Sequence, residues 1–152
     1  MASLRREIVI NASAEEVFAV VGRPELIHLW FPGVVDCTFD GKVRIVTTGA
    51  GIPMPEEIVT NDSLQHRLQY RIDAPLVRHH LATFDAIDID DGRCLCVYST
   101  DAEPDVMALV VGGATNGALE ELKRQFDSGA GPALDAVRDT PATVAQPKHG
   151  AN

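Results

Sequence analysis

From Val34 to Glu103 the sequence carries six β-type runs in succession, with no helical segment between any two of them. They read VVDCTFD, KVRIVTTG, PEEIVTND, HRLQYRID, HHLATFDAIDID and RCLCVYSTDAE. Turn signals separate most of them: DG at 40–41, NDS at 61–63, DAP at 73–75 and DDG at 90–92. Ahead of this block, LRREIVINA reads as a further strand and SAEEVFAVV as a short helix. Ser13 is the N-cap of that helix, and Glu15 and Glu16 sit in its first turn, where the helix dipole favours negative charge. RPELIHLWFPG is a second short helix, opened by Pro24 and closed by Pro32-Gly33. After the strands, PDVMALVVGGATNGALEELKRQF predicts one long helix, with Leu119, Leu122 and Phe126 at helical spacing. The order β-α-α-β-β-β-β-β-β-α defines an α+β fold. Its antiparallel sheet of about seven strands must curl around the long C-terminal helix, because one helix is too narrow to cover a flat sheet.

A chain of 152 residues forms one domain with a core that needs neither disulfides nor metal. The expected domain spans residues 1–127. Residues 128–152, rich in Ala, Pro, Gly and Asp without a sustained apolar period, predict a flexible tail with a helical turn around PALDAVRD. The chain has 22 acidic against 13 basic residues, which argues against a nucleic-acid or anionic-membrane partner. No apolar run reaches the length needed for membrane insertion. The N-terminus lacks a signal peptide's apolar segment, so a cytoplasmic location is expected. Cys37, Cys94 and Cys96 form no metal-binding pattern and are expected as buried thiols. No phosphate loop, nucleophile–base spacing or ligand set calls for a cofactor or metal.

The middle of the long helix, VVGGATNGA, is unusual. Gly112, Gly113 and Gly117 each cost about 1 kcal/mol relative to Ala in a helix interior. Either the helix backbone packs close to the sheet or kinks there, or a ligand cavity lies beneath the glycines, with Leu119, Leu122 and Phe126 closing its far end. Alternation on HRLQYRID turns Leu68, Tyr70 and Ile72 inward together with His66. On HHLATFDAIDID, one face carries His80, Ala82, Phe84 and Ala86, the other His79, Leu81, Thr83, Asp85 and Ile87, and periodicity does not choose between them. The stretch TTGAGIPMPEEIV interrupts two good strands with glycines and prolines. If that hairpin turns near Ala50, Arg44 and Glu56 lie opposite each other across the strands.

The string VRIVTTGAGIPMPEEIVTNDSLQHRLQYRIDAPLVRHHLATF, within the element order above, resembles the START-like helix-grip superfamily, also called polyketide cyclase/dehydrase or SRPBCC proteins. Within it the pattern is most similar to the branch of plant abscisic-acid receptors and their bacterial relatives. The resemblance covers residues 4 to 126. It implies a gate loop at Gly51-Ile52-Pro53 after a strand bearing Arg44, and a ligand-contacting glutamate at Glu56. It also implies a latch loop at Ala74–Arg78 with Leu76 in it, and an inward pocket position at His80, which turns Ala82 and Phe84 inward as well. Two departures stand out. Phe31 occupies the place of the lysine that anchors the receptors' ligand carboxylate, and the latch's His-Arg-Leu is not kept. Abscisic acid and the receptors' phosphatase partner are therefore not implied.

These readings give an expected ligand site of Phe31, Arg44, Ile52, Pro53, Glu56, Tyr70, Leu76, His80, Phe84, Val110 and Ala114. Its expected occupant is a small hydrophobic or amphipathic molecule that is lipid-, polyketide- or isoprenoid-like. For Glu56 the alternative is a solvated edge-strand charge. For Tyr70, the hydroxyl enters the cavity or reaches solvent. His80 is the candidate catalytic residue, as acid–base of a polyketide cyclase or dehydratase, the alternative being a hydrogen bond to a neighbour. A third possibility is a regulatory module whose lid recruits a protein, and a homodimer is also compatible.

Overall fold

A computed structural model describes residues 1–140. Strand β1 (Ala2–Ile10) is followed by helix α1 (Ala14–Val21) and a 3-10 helix (Pro24–Leu29). Six strands then run in sequence: β2 (Val34–Phe39), β3 (Val43–Thr48), β4 (Pro53–Asp62), β5 (Arg67–Ile72), β6 (His79–Asp90) and β7 (Arg93–Glu103). Two helices end the described chain, α2 (Asp105–Ser128) and α3 (Pro132–Asp139). The strands form one seven-stranded sheet in the order β1-β7-β6-β5-β4-β3-β2, each neighbouring pair antiparallel. The architecture is that expected, a curved antiparallel sheet gripping a long helix.

Local chemistry sets the element ends. Ser13 Oγ accepts from Glu16 N at 3.1 Å and the Glu16 carboxylate accepts from Ser13 N at 2.8 Å, a reciprocal cap that starts α1. Asp88 of β6 accepts from Ala14 N at 2.8 Å and ties the start of α1 to the sheet. Helix α2 ends at Gly129, whose φ of 70° is the left-handed conformation that favours glycine at this position.

The inner face is continuous from strand to strand. Leu68, Tyr70 and Ile72 of β5, His80, Ala82, Phe84 and Ala86 of β6, and Cys94, Cys96, Tyr98 and Thr100 of β7 are all buried. His80 therefore belongs to the inward set, whereas His66 stands outside β5 in a turn, with φ at 54°. Trp30, after the 3-10 helix, is 2% exposed and packs edgewise on Phe84 with centroids 6.4 Å apart. It is a core residue. Helix α2 lies over β1 and β7 and buries Ala118, Leu119 and Leu122.

The helix glycines divide. A Cβ on Gly112 would fall 2.8 Å from Leu4 Cδ1 and 3.2 Å from Leu4 Cβ, so glycine here permits close approach of α2 to β1. Gly113 faces open space, and a Cβ on Gly117 would meet only Pro32 Cγ at 3.9 Å. The close-packing explanation thus holds for Gly112. The cavity does not lie beneath the glycines but beside Val110, Val111 and Ala114, on a neighbouring face of the helix.

A flexible tail beginning at residue 128 is corrected over its first part. Residues Pro132–Asp139 form a helix that buries Ala133 and Leu134 against α1 and the 3-10 helix. The signal was the turn in PALDAVRD, but its anchor lies in α2. Gln125, fully buried, donates Nε2 to Leu29 O at 2.9 Å and accepts from Ala133 N at 3.0 Å. The remainder of the expected tail, 141–152, lies outside the described residues. Among the described residues no helix is long and apolar enough to cross a membrane.

Candidate ligand cavity

α2 covers β1 and β7, whereas β2 to β4 curl away from it, and a cavity of about 300 Å³, open to solvent beside the exposed Val110 and Ala114, remains between them. Val46, Met54 and Ile72 line it from the sheet, Phe31 from the loop before β2, and Val110, Val111 and Ala114 from the helix. Three lining residues carry polar side chains: Thr48, Glu56 and Tyr70. A wide apolar wall with few polar groups is the usual form of a small-molecule site, and the volume is at the lower end of the range of about 300–1,000 Å³.

Glu56 is held from behind. The β3–β4 register pairs Arg44 directly with Glu56, and Arg44 Nε donates to Glu56 Oε2 at 2.5 Å. Both side chains are buried, Arg44 at 1% and Glu56 at 7% exposure. Arg44 also donates Nη1 to Pro24 O at 3.4 Å, and its guanidinium carbon lies 4.5 Å from the centre of the Tyr70 ring. Burial pushes the Glu56 carboxyl above the usual carboxylate range, with the guanidinium pulling the other way. Burial works against the Arg44 charge, but the Glu56 carboxylate and the neighbouring tyrosines outweigh it and hold the guanidinium above its ordinary value. A neutral Glu56 would leave that cation buried without its counter-charge, so the pair is ionic at neutral pH.

The hydroxyls of Tyr70 and Tyr98 lie 2.6 Å apart. Burial raises both phenols, Tyr98 to about 12, so both are neutral. Tyr70 contributes its side chain to the cavity wall and commits its hydroxyl to Tyr98 rather than to solvent. Burial likewise raises Cys37 to about 11, and the three cysteines are free thiols.

Ten of the eleven expected site residues fall into three groups, and His80 stands apart from them. Phe31, Glu56, Tyr70, Val110 and Ala114 line the cavity together, with Arg44 directly behind Glu56. Phe84 is inward but packs edge-to-face on Tyr98, 5.5 Å between centroids, in the core rather than on the cavity wall. Ile52 and Leu76 are 60% and 77% exposed, and Pro53 is exposed beside Ile52. None of these three forms part of the wall. The solvated-edge alternative for Glu56 does not hold. Sequence reasoning missed Val46, Thr48, Met54 and Val111, although Val46 shares the inward alternation of Arg44 two residues on.

His80 is placed otherwise than an acid–base role requires. Pairing of β5 with β6 ends at Tyr70 and Ala82, and the His80 ring takes the next rung, its Nδ1 accepting from Ile72 N at 3.0 Å. The proton of the neutral ring is therefore on Nε2, which is buried without a partner among the described residues. Burial depresses the imidazole to about 4, against a smaller opposing effect of Asp101, so the ring is neutral near pH 7. His80 borders a separate depression of about 510 Å³ with Arg71, Arg78 and Asp101, not the cavity beside α2. The alternative of a hydrogen bond to a neighbour describes it.

Solved structures share the architecture. The chain is similar to XoxI from Bacillus cereus, with a TM-score of 0.77 and 23% identity over 83% of this chain and 96% of that one. A START superfamily protein from Mycobacterium smegmatis matches with a TM-score of 0.69 and 12% identity over 84% and 99% of the two chains. Norcoclaurine synthase from Thalictrum flavum gives 0.67 and 17% over 84% and 95%. At these identities the likeness shows the fold. No curated protein matches the sequence. The sequence signature described as polyketide cyclase/dehydrase and lipid transport matches residues 1–127, and this makes the chain a member of that family.

Proposed function

We propose that the protein binds a small, largely apolar molecule in the space between α2 and the β2–β4 side of the sheet. The observation carrying this reading is the cavity of about 300 Å³ with aliphatic and aromatic walls and a fixed carboxylate, Glu56, at its inner surface. An apolar occupant gains dispersion contacts along this lining and removes its apolar surface from water.

Catalysis is compatible with the scaffold, since norcoclaurine synthase shares it. An acid–base cycle on His80 draws no support from its position. Its Nδ1 is taken by a backbone amide, its ring stays neutral, and it does not line the cavity. Binding is therefore the reading the geometry favours.

The test has two parts. Native mass spectrometry of the protein as purified should show an additional mass that denaturation releases. Titration with the uncharged fluorescent probe N-phenyl-1-naphthylamine should saturate at one site per chain, and Ala114→Trp should abolish that site. A protein that carries nothing and gives no saturable probe signal would sink the proposal.

A further inference from the structure

We infer that the ligand offers a hydroxyl or similar hydrogen-bond donor to Glu56 Oε1 and carries no carboxylate. The inference rests on the binding function proposed above and adds the chemical class of the ligand.

The argument is an inventory of charge and hydrogen-bonding capacity around one cavity. None of its lining side chains is cationic. The nearest cation, Arg44, gives Nε to Glu56 Oε2 and Nη1 to Pro24 O and lies over the Tyr70 ring. Its Nη2 has no partner among the described residues, but the side chain is 1% exposed and does not line the cavity, so it sits behind Glu56 rather than facing a ligand. Tyr70 has its hydroxyl engaged with Tyr98. Thr48, at the β3 end, accepts a long bond from Ile52 N at 3.4 Å. Thr48 keeps its hydroxyl proton as a neutral donor, and Glu56 Oε1 is the charged atom on the lining with free hydrogen-bonding capacity. Arg44 holds the other carboxylate oxygen, and Oε1 accepts no hydrogen bond among the described residues, while Glu56 itself lines the space.

A carboxylate oxygen at a cavity wall with spare lone pairs selects its partner by sign. A hydroxyl donor replaces the water it would otherwise need, and a hydrogen bond to a charged group is worth more than a neutral one. A ligand carboxylate would set a second negative charge against Glu56 where few dipoles screen it. An ether or ester oxygen would face an acceptor with an acceptor. The expected occupant is thus an apolar body of modest size with a neutral donor at its inner end, such as a phenol or an alcohol.

Three probes of nearly equal shape separate these cases: 2-naphthol, 2-methoxynaphthalene and 2-naphthoate, titrated calorimetrically at neutral pH. 2-Naphthol should bind at least about tenfold more tightly than the methyl ether, and the naphthoate more weakly than either. In the double variant Arg44→Met/Glu56→Gln, which removes both members of the buried pair, the advantage of naphthol over naphthoate should shrink by about tenfold or more. If naphthoate binds the wild type as tightly as naphthol, the selectivity is overturned while cavity binding stands. The selectivity is also overturned if the double variant keeps the wild-type order undiminished, because Glu56 would then not be the discriminating group. If none of the three probes binds, the cavity reading itself fails and the selectivity with it.

Discussion

Arg44 and Glu56 form a cross-strand pair that is both a β3–β4 register partner and a buried ion pair, with Nε 2.5 Å from Oε2. A pair of this kind contributes little net stability, because desolvation offsets most of the attraction, yet breaking it leaves a bare charge in the core. Glu56→Leu and Arg44→Met should each destabilise the fold by about 3–5 kcal/mol, and Arg44→Met/Glu56→Leu by clearly less than the sum. Urea denaturation of the four proteins of this cycle measures the coupling. Strict additivity would mean that the two side chains do not depend on each other.

The tyrosine hydroxyl pair gives a second, independent cycle. Tyr70→Phe or Tyr98→Phe leaves one buried hydroxyl without its partner at 2.6 Å and should cost about 1–3 kcal/mol. Tyr70→Phe/Tyr98→Phe removes both polar groups at little change in shape and should recover part of that loss, read again from denaturation midpoints.

His80 predicts a pH dependence. Its folded-state value is depressed from 6.5 to about 4, so the unfolded chain binds more protons between those values. Stability from this group is therefore fully present above about pH 6.5 and falls as pH drops towards 4, by at most about 3 kcal/mol. Carboxylates titrate in the same range, so the measurement is a difference. Urea midpoints of wild type and His80→Asn between pH 7 and 4 should converge, the wild type losing its advantage on acidification. Parallel curves would assign the imidazole an ordinary value.

The glycines of α2 make opposite predictions from the same substitution. Gly113→Ala meets open space and should stabilise by about 0.5–1 kcal/mol through helix propensity alone. Gly112→Ala drives a methyl group to 2.8 Å from Leu4 Cδ1 and should fall short of Gly113→Ala by about 1–3 kcal/mol. Adding Leu4→Ala should remove most of the further penalty of Gly112→Ala, in thermal melts of all four variants.

These glycines also mark where the sequence ceased to be legible. Alternation and turn residues are local, so the seven strands and their antiparallel order could be read directly, and the Arg44–Glu56 register followed from where the hairpin turns. Which side of a helix glycine meets a strand depends on how α2 crosses β1, a contact between residues more than a hundred positions apart, and no local pattern encodes it. The same limit applies to His80. Alternation with the resemblance put it inward, but the side chain's substitution for a ladder bond to Ile72 appears only when β5 and β6 part. Gln125 was invisible for another reason: a polar residue on a helix reads as solvated until the chain beyond it folds back as α3.

Ala114 supplies the last prediction. It lines the cavity from α2 yet is itself exposed, so a large side chain there can enter the opening without displacing core residues. Ala114→Trp should leave the melting temperature within a few degrees of wild type, since exposed helix positions tolerate substitution. It should also lower affinity for 2-naphthol by about tenfold or more, because the indole competes for the volume between Val110 and Phe31. Val46→Trp is the contrast: Val46 is 3% exposed on the opposite wall, and enlarging it should reduce binding and stability together by overpacking. Calorimetric titration beside a thermal melt separates the two. If Ala114→Trp binds naphthol like the wild type, the ligand does not occupy the space beside α2.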